Sequence, residues 1–161
     1  MRNNQAFTLI ELLVVVLIIG ILAVIAVPQY QQAVAKSRYI GMITAGDAIH
    51  KAEEVYFLSN GTYANSLDEL DIEVPIASTI KADLFSNDTG HGAVVVTDSS
   101  LPDISYTIYF DHHSSYGIPN ELTGTRQCRV TDLTKTNLKA ICQKVTGNEV
   151  VLASGFYKSY F

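Results

Sequence analysis

The chain has no tryptophan, two cysteines, two methionines, four prolines and four histidines in 161 residues. Zinc clusters and iron–sulfur centres need sets of closely spaced Cys and His ligands, and two cysteines with four scattered histidines do not supply them. Charge is also sparse, at 17% of residues against the quarter or so usual for soluble domains. The 11 basic residues fall short of the 16 acidic ones, leaving a net charge of -5, so nothing in the bulk electrostatics favours a nucleic-acid backbone. No GxSxG, Walker A or GxGxxG pattern occurs, and Gly90-His91-Gly92 is too short to cradle a phosphate. The length suits one domain and excludes a multidomain enzyme. No internal repeat and no low-complexity linker divides it.

What is abundant is apolar side chain, 48% of residues, and it is concentrated at one end. From Met1 to Ala35 the only charged side chains are Arg2 and Glu11, and Leu12 to Val27 holds no charged or strongly polar residue. As a helix, Phe7 to Val27 rises about 30 Å, the hydrocarbon thickness of a bilayer. A secretory signal peptide fits less well. The apolar run exceeds a typical h-region, a carboxylate lies near its start, and Val24-Ile25-Ala26 is a weak cleavage site with Pro28 close behind. A plain membrane anchor accounts for the length but leaves Glu11 as a cost of up to about 3 kcal/mol in lipid.

Ala6-Phe7-Thr8-Leu9-Ile10-Glu11-Leu12-Leu13 resembles the class III signal of type IV pilins and type II secretion pseudopilins. In that family a polar leader is removed immediately before a Phe, the new amine is methylated, and the fifth mature residue is Glu. The resemblance implies cleavage between Ala6 and Phe7, N-methylation of Phe7 and a filament-assembly role for Glu11. Ala6 stands where the family normally has Gly. Gly20 and Pro28 match the family's weak point in the long helix, and Tyr30 follows. The resemblance is detailed from about Ala6 to Tyr39 and looser beyond.

Helical propensity persists past Pro28, so one helix is expected from about Phe7 to Leu58, interrupted near Pro28 and loosened at Gly41 and Gly46. Ile49, Ala52, Val55 and Tyr56 form its expected packing face, with Lys51, Glu53 and Glu54 toward water. Asn60-Gly61 ends it. Tyr63 to Asp88 reads as a polar connection with one helical turn at Ser66 to Leu70. Strands are expected at Ala93–Thr97, Ile104–Phe110, Cys128–Thr131, Val150–Ala153 and Phe156–Phe161, with turns at Pro102-Asp103, Pro119-Asn120, Gly124 and Gly147-Asn148. The fold class is therefore α+β, a long N-terminal helix on a C-terminal antiparallel β-sheet, as in type IV pilins. Its divisions are a leader at 1–6, a transmembrane and assembly helix at 7–30, and a globular headgroup at 31–161.

An exported chain meets an oxidising compartment, which favours a Cys128–Cys142 disulfide over two buried thiols. Closing that loop of about fifteen residues contributes on the order of 3 kcal/mol. A C-terminal disulfide-bounded loop is common in type IV pilins and usually missing from major pseudopilins. Asp111, His112, His113 and His91 lack metal-ligand spacing and read as exposed turn residues, so neither a metal nor a cofactor is expected. Acids dominate from Asp47 to Asp111 and bases from Arg126 onward, either as a solvated surface or as complementary faces of neighbouring subunits.

The resemblance implies a non-enzymatic pilus subunit. Lipid would hold it in the bacterial inner membrane, prepilin peptidase would process it, and an inner-membrane assembly platform would polymerise it with copies of itself into an extracellular filament. The alternatives are a pseudopilin of a type II secretion system, forming a short periplasmic pseudopilus, or an anchored enzyme or binding domain.

Overall fold

The computed structural model describes residues 8–73, 77–86, 92–112, 122–153 and 156–161. The chain divides into two compact units, Met1–Val34 and Ala35–Phe161. Helix α1 is Leu9–Asn60, followed by a 3-10 turn at Leu67–Glu69. Then come β1 (Ile80–Ser86), β2 (Gly92–Asp98), β3 (Leu101–Tyr109), β4 (Arg126–Val130), α2 (Thr136–Thr146), β5 (Val151–Ala153) and β6 (Phe156–Tyr160). The strands form one six-stranded sheet in the order β1-β2-β3-β4-β6-β5, with every described pairing antiparallel.

Strand alternation decides which face is apolar. Val96 pairs with Tyr106 and Val94 with Ile108, while Tyr106 pairs with Cys128 and Ile104 with Val130. All of these are buried. Since side chains alternate across a strand, they share one sheet face. Tyr39, Met42, Ala45, Gly46, Ile49, His50 and Glu53 are the buried residues of α1, spaced three or four apart as a helix stripe requires. Tyr39, Met42, Ala45 and Ile49 join the apolar sheet residues in a single core. Gly46 lets α1 lie close against the sheet: a Cβ there would lie 2.8 Å from Tyr106 Cδ1. Tyr106 also donates its hydroxyl to Asp47 (2.9 Å), whose carboxylate meets Arg126 Nε at 3.3 Å, tying α1 to β3 and β4.

The expected packing face is met at Ile49, which is fully buried, but its phase is off beyond that point. Glu53 is fully buried, while Val55 is 65% exposed, because the stripe running from Tyr39 through Met42, Ala45/Gly46 and Ile49 reaches Glu53. Glu54 is partly buried, and Ala52 and Tyr56 only flank the core. Gly46 is a contact that permits close packing, not a loosened point, and α1 is helical through both Gly41 and Gly46. The helix also continues through Pro28, so the expected interruption is not seen.

Two elements were missed. Ile80-Lys81-Ala82-Asp83-Leu84 alternates half-buried and exposed residues and is strand β1, not polar connection. Helix α2 buries Leu138, Ile141 and Cys142, an i, i+3, i+4 set, and stops at left-handed Gly147 (φ 74°), whose N–H reaches Gln143 O. The expected turn at Pro102-Asp103 is displaced: Pro102 belongs to β3, and the reversal falls at Ser99-Ser100, where Asp98 accepts from Ser100 N at 2.8 Å. Pro102 lies beside the register shift at Thr97/Asp98, before pairing with β4 begins at Ile104, where a missing N–H costs nothing. The helical turn at Ser66 to Leu70 is present, capped by Ser66 accepting from Asp68 N. The expected turn at Pro119-Asn120 lies outside the described residues.

Candidate assembly site

Leu9 to Val27 is helix with every residue exposed, an arrangement water does not tolerate. At roughly 1.5–3 kcal/mol per large apolar side chain, the exposed run represents tens of kcal/mol, more than the 5–15 kcal/mol net stability of a typical domain. The helix is long and apolar enough to cross a membrane, and none of the apolar window is buried by the chain itself. Leu13, Val16, Leu17, Gly20, Ile21 and Val24 line a shallow apolar groove along it, and a Cβ added at Gly20 would touch nothing within 4 Å.

The start of the helix is organised by Thr8 and Glu11. Glu11 Oε2 accepts from both Thr8 N and Thr8 Oγ1 at 2.8 Å, and Glu11 N donates to Thr8 Oγ1 at 3.2 Å. This reciprocal pattern is a capping box, with Thr8 as cap and Glu11 three residues on. The signal was in the sequence as Thr-x-x-Glu ahead of an apolar run. Glu11 thus has a local partner in the isolated chain, in a first turn where a carboxylate also faces the positive helix end.

Of the other sites read from sequence, Ala6 and Phe7 lie outside the described residues. Gly20 and Pro28 lie within continuous α1. Cys128 of β4 and Cys142 of α2 form the expected disulfide, with Cα atoms 5.6 Å apart, and both are buried. It fastens α2 to the sheet. The acidic and basic halves of the chain meet partly within the subunit, through Asp47 with Arg126 and Asp103 with Lys135.

His91 and His113 lie outside the described residues. His112 is exposed as expected, yet it is not an idle turn residue: Nδ1 lies 3.0 Å from Glu54 Oε2 and the ring stacks on Phe57 with centroids 4.6 Å apart. Glu54 Oε1 accepts from Tyr63 OH (2.8 Å) and Asp111 N (3.2 Å). Burial pushes the Tyr63 phenol well above its ordinary range, and hydrogen bonding to the Glu54 carboxylate adds to this. The meeting of Asp111 and His112 with Glu54 was not legible, because it joins residues more than fifty positions apart.

A family profile described as the prokaryotic N-terminal methylation motif matches residues 1–27. The chain is 35% identical over 99 residues to a fimbrial protein of Pseudomonas aeruginosa, covering 62% of this chain and 63% of that one. It is 39% identical over 68 residues to the type IV major pilin protein PilA of Myxococcus xanthus, covering 42% and 31% respectively. With the type IV major pilin protein PilE of Neisseria gonorrhoeae it shares 35% identity over 78 residues, 48% of this chain and 46% of the other. The matches span less than two thirds of these relatives' lengths. The N-terminal motif, the apolar helix leading into an antiparallel sheet, and the fimbrial and pilin relatives together make this chain similar to the type IV pilins and support that family.

Proposed function

We propose that this chain is the structural subunit of a type IV pilus, stored in the inner membrane and polymerised into an extracellular filament by packing of its N-terminal helix. The observation that carries the reading is the fully exposed apolar run in α1. Lipid satisfies that surface before assembly, and neighbouring copies of the same helix satisfy it afterwards, because water rejects it. Residues 1–6 are the leader, 7–30 the assembly helix and 31–161 the headgroup. Prepilin peptidase cuts between Ala6 and Phe7, and Phe7 receives the methyl group. Gly20, with Ala23 and Ala26, allows close approach between helices. Gly20 and Pro28 are the points where α1 yields on assembly.

Glu11 directs register. Cleavage before Phe7 creates a positive amine one helical turn away, and the Glu11 carboxylate attracts the amine of the adjacent subunit. In low-dielectric surroundings an unpaired charge is strongly disfavoured, so a neighbour that brings the opposite sign is selected. In this step Glu11 exchanges part of its capping interaction with Thr8 for the intersubunit pair. The subunit performs no catalytic step.

The Cys128–Cys142 disulfide favours a pilin over a pseudopilin. Electron microscopy of cells with and without the gene separates the two. Long surface fibres lost with the gene support the pilus, whereas unchanged fibres together with a secretion defect reverse the assignment.

A further inference from the structure

We propose that His50, Glu54 and Asp111 form a site for a divalent transition metal, with zinc the best match, in the headgroup. A ring nitrogen of His50, a Glu54 carboxylate oxygen and a carboxylate oxygen of Asp111 all lie within 4.8 Å of one another. His50 and Glu54 are one helical turn apart on α1 and so share a face, while Asp111 arrives from the chain following β3. His50 is only 8% exposed, and its Nε2 is buried without a hydrogen-bond partner among the described residues, 3.7 Å from Glu54 Oε1. Buried polar nitrogens are nearly always satisfied, so an unpartnered one beside the Glu54 carboxylate points to a missing ligand.

The surroundings suit that assignment. The His50 ring is held in place against Phe110, with centroids 5.7 Å apart. Glu54 is oriented by His112, Tyr63 and the Asp111 backbone, an outer layer of hydrogen bonds of the kind that fixes metal-binding carboxylates. At position 124 a Cβ would stand 2.6 Å from Asp111 Oδ1, so Gly124 leaves the space that this carboxylate uses. Around tetrahedral zinc, donors at about 2.0–2.2 Å from the ion sit about 3.3–3.6 Å apart. His50 Nε2 and Glu54 Oε1 are already 3.7 Å apart, close to that value, and exposed Asp111 is the ligand that would turn to complete the set. One imidazole and two carboxylates favour zinc over calcium or magnesium, which take all-oxygen sets. Solvent beside Asp111 supplies the fourth position. Since the ligands come from residues 50, 54 and 111, only the folded headgroup presents them together, and the ion fastens α1 to the end of β3.

The test uses the full chain in mild detergent, stripped with chelator and titrated with zinc chloride by calorimetry, with melting temperature followed in parallel. The expected result is one zinc per chain, a raised melting temperature, and no matching effect of calcium. Asp111→Asn, at an exposed position that spares folding, and Glu54→Gln should each weaken zinc binding at least tenfold. His112→Gln, which removes the imidazole from Glu54 Oε2 together with its stack on Phe57, should weaken zinc binding about tenfold. Failure to bind one zinc per chain, binding unaffected by Asp111→Asn and Glu54→Gln, or equal stabilisation by calcium would overturn the proposal.

Discussion

Glu53 is a buried carboxyl whose titration should make the headgroup less stable as pH rises. It is fully buried; Oε2 accepts from Ala64 N at 3.0 Å, and Oε1 has no partner among the described residues. Burial pushes its pKa from 4.5 up to about 7; the Ala64 N–H opposes this, while Glu69 and Glu54 add to it. A carboxyl whose folded pKa exceeds its unfolded value binds the extra proton in the folded state. Its contribution is therefore greatest below the unfolded pKa of 4.5 and is lost as pH rises through about 7. At 1.36 kcal/mol per unit, the loss is at most about 3 kcal/mol. Glu53→Gln keeps an acceptor for Ala64 N and cannot ionise. Urea unfolding of both proteins in detergent, followed by tyrosine near-UV dichroism from pH 4 to 8, isolates the contribution because every other titrating group is shared. Stabilities should be close at pH 4, with the Gln variant more stable by about 2–3 kcal/mol at pH 8. Parallel profiles, or a wild type that gains on the variant as pH rises, would refute the reasoning.

Other expectations follow from the helix and the disulfide. Glu11→Val should leave membrane insertion and headgroup folding near normal, yet sharply lower the ratio of sheared surface fibre to membrane-stored subunit, with Glu11→Asp partly restoring it. Losing the cap alone costs about 1 kcal/mol of helix stability, so an unchanged ratio would return Glu11 to that local role. Replacing both Cys128 and Cys142 with Ser should destabilise the headgroup by on the order of 3 kcal/mol, read as a lower urea midpoint, and thiols alkylated without reductant in the wild type would count against the bond. Deleting residues 1–30 should yield a soluble monomer under oxidising conditions; sedimentation showing fibres, or an unfolded product, would contradict the division of roles.

Local chemistry was readable in the sequence wherever one side-chain pattern dominated. The long helix, expected from Phe7 to Leu58, runs Leu9–Asn60, and the strand expected at Ala93–Thr97 is Gly92–Asp98, because unbroken apolar and β-branched runs leave few alternatives. Strand β1 was hidden by its two charges, Lys81 and Asp83, although they fall on the exposed positions of an alternating pattern. Helix α2 was obscured by reading Cys128 to Cys142 as a closed loop, when Leu138, Ile141 and Cys142 already had helical spacing. The buried position of Glu53 was not readable. Its charge argues for solvent, and only the crossing of α1 over Tyr106 sets the phase of the stripe. At the start of α1, Thr8-x-x-Glu11 ahead of an apolar run carries the capping box in the sequence itself. The meeting of His50 and Glu54 with Asp111 and His112 depends on where β3 ends against α1, which no local pattern encodes.

The central claim is that this chain, cut before Phe7, is the material of a surface fibre built on its own N-terminal helix. Intact-mass analysis of protein sheared from the cell surface tests that in one measurement. The account predicts a chain that has lost residues 1–6, begins at Phe7 and carries one added methyl group. Fibres lacking this chain, or containing it from Met1 or from Val27 onward, would contradict it.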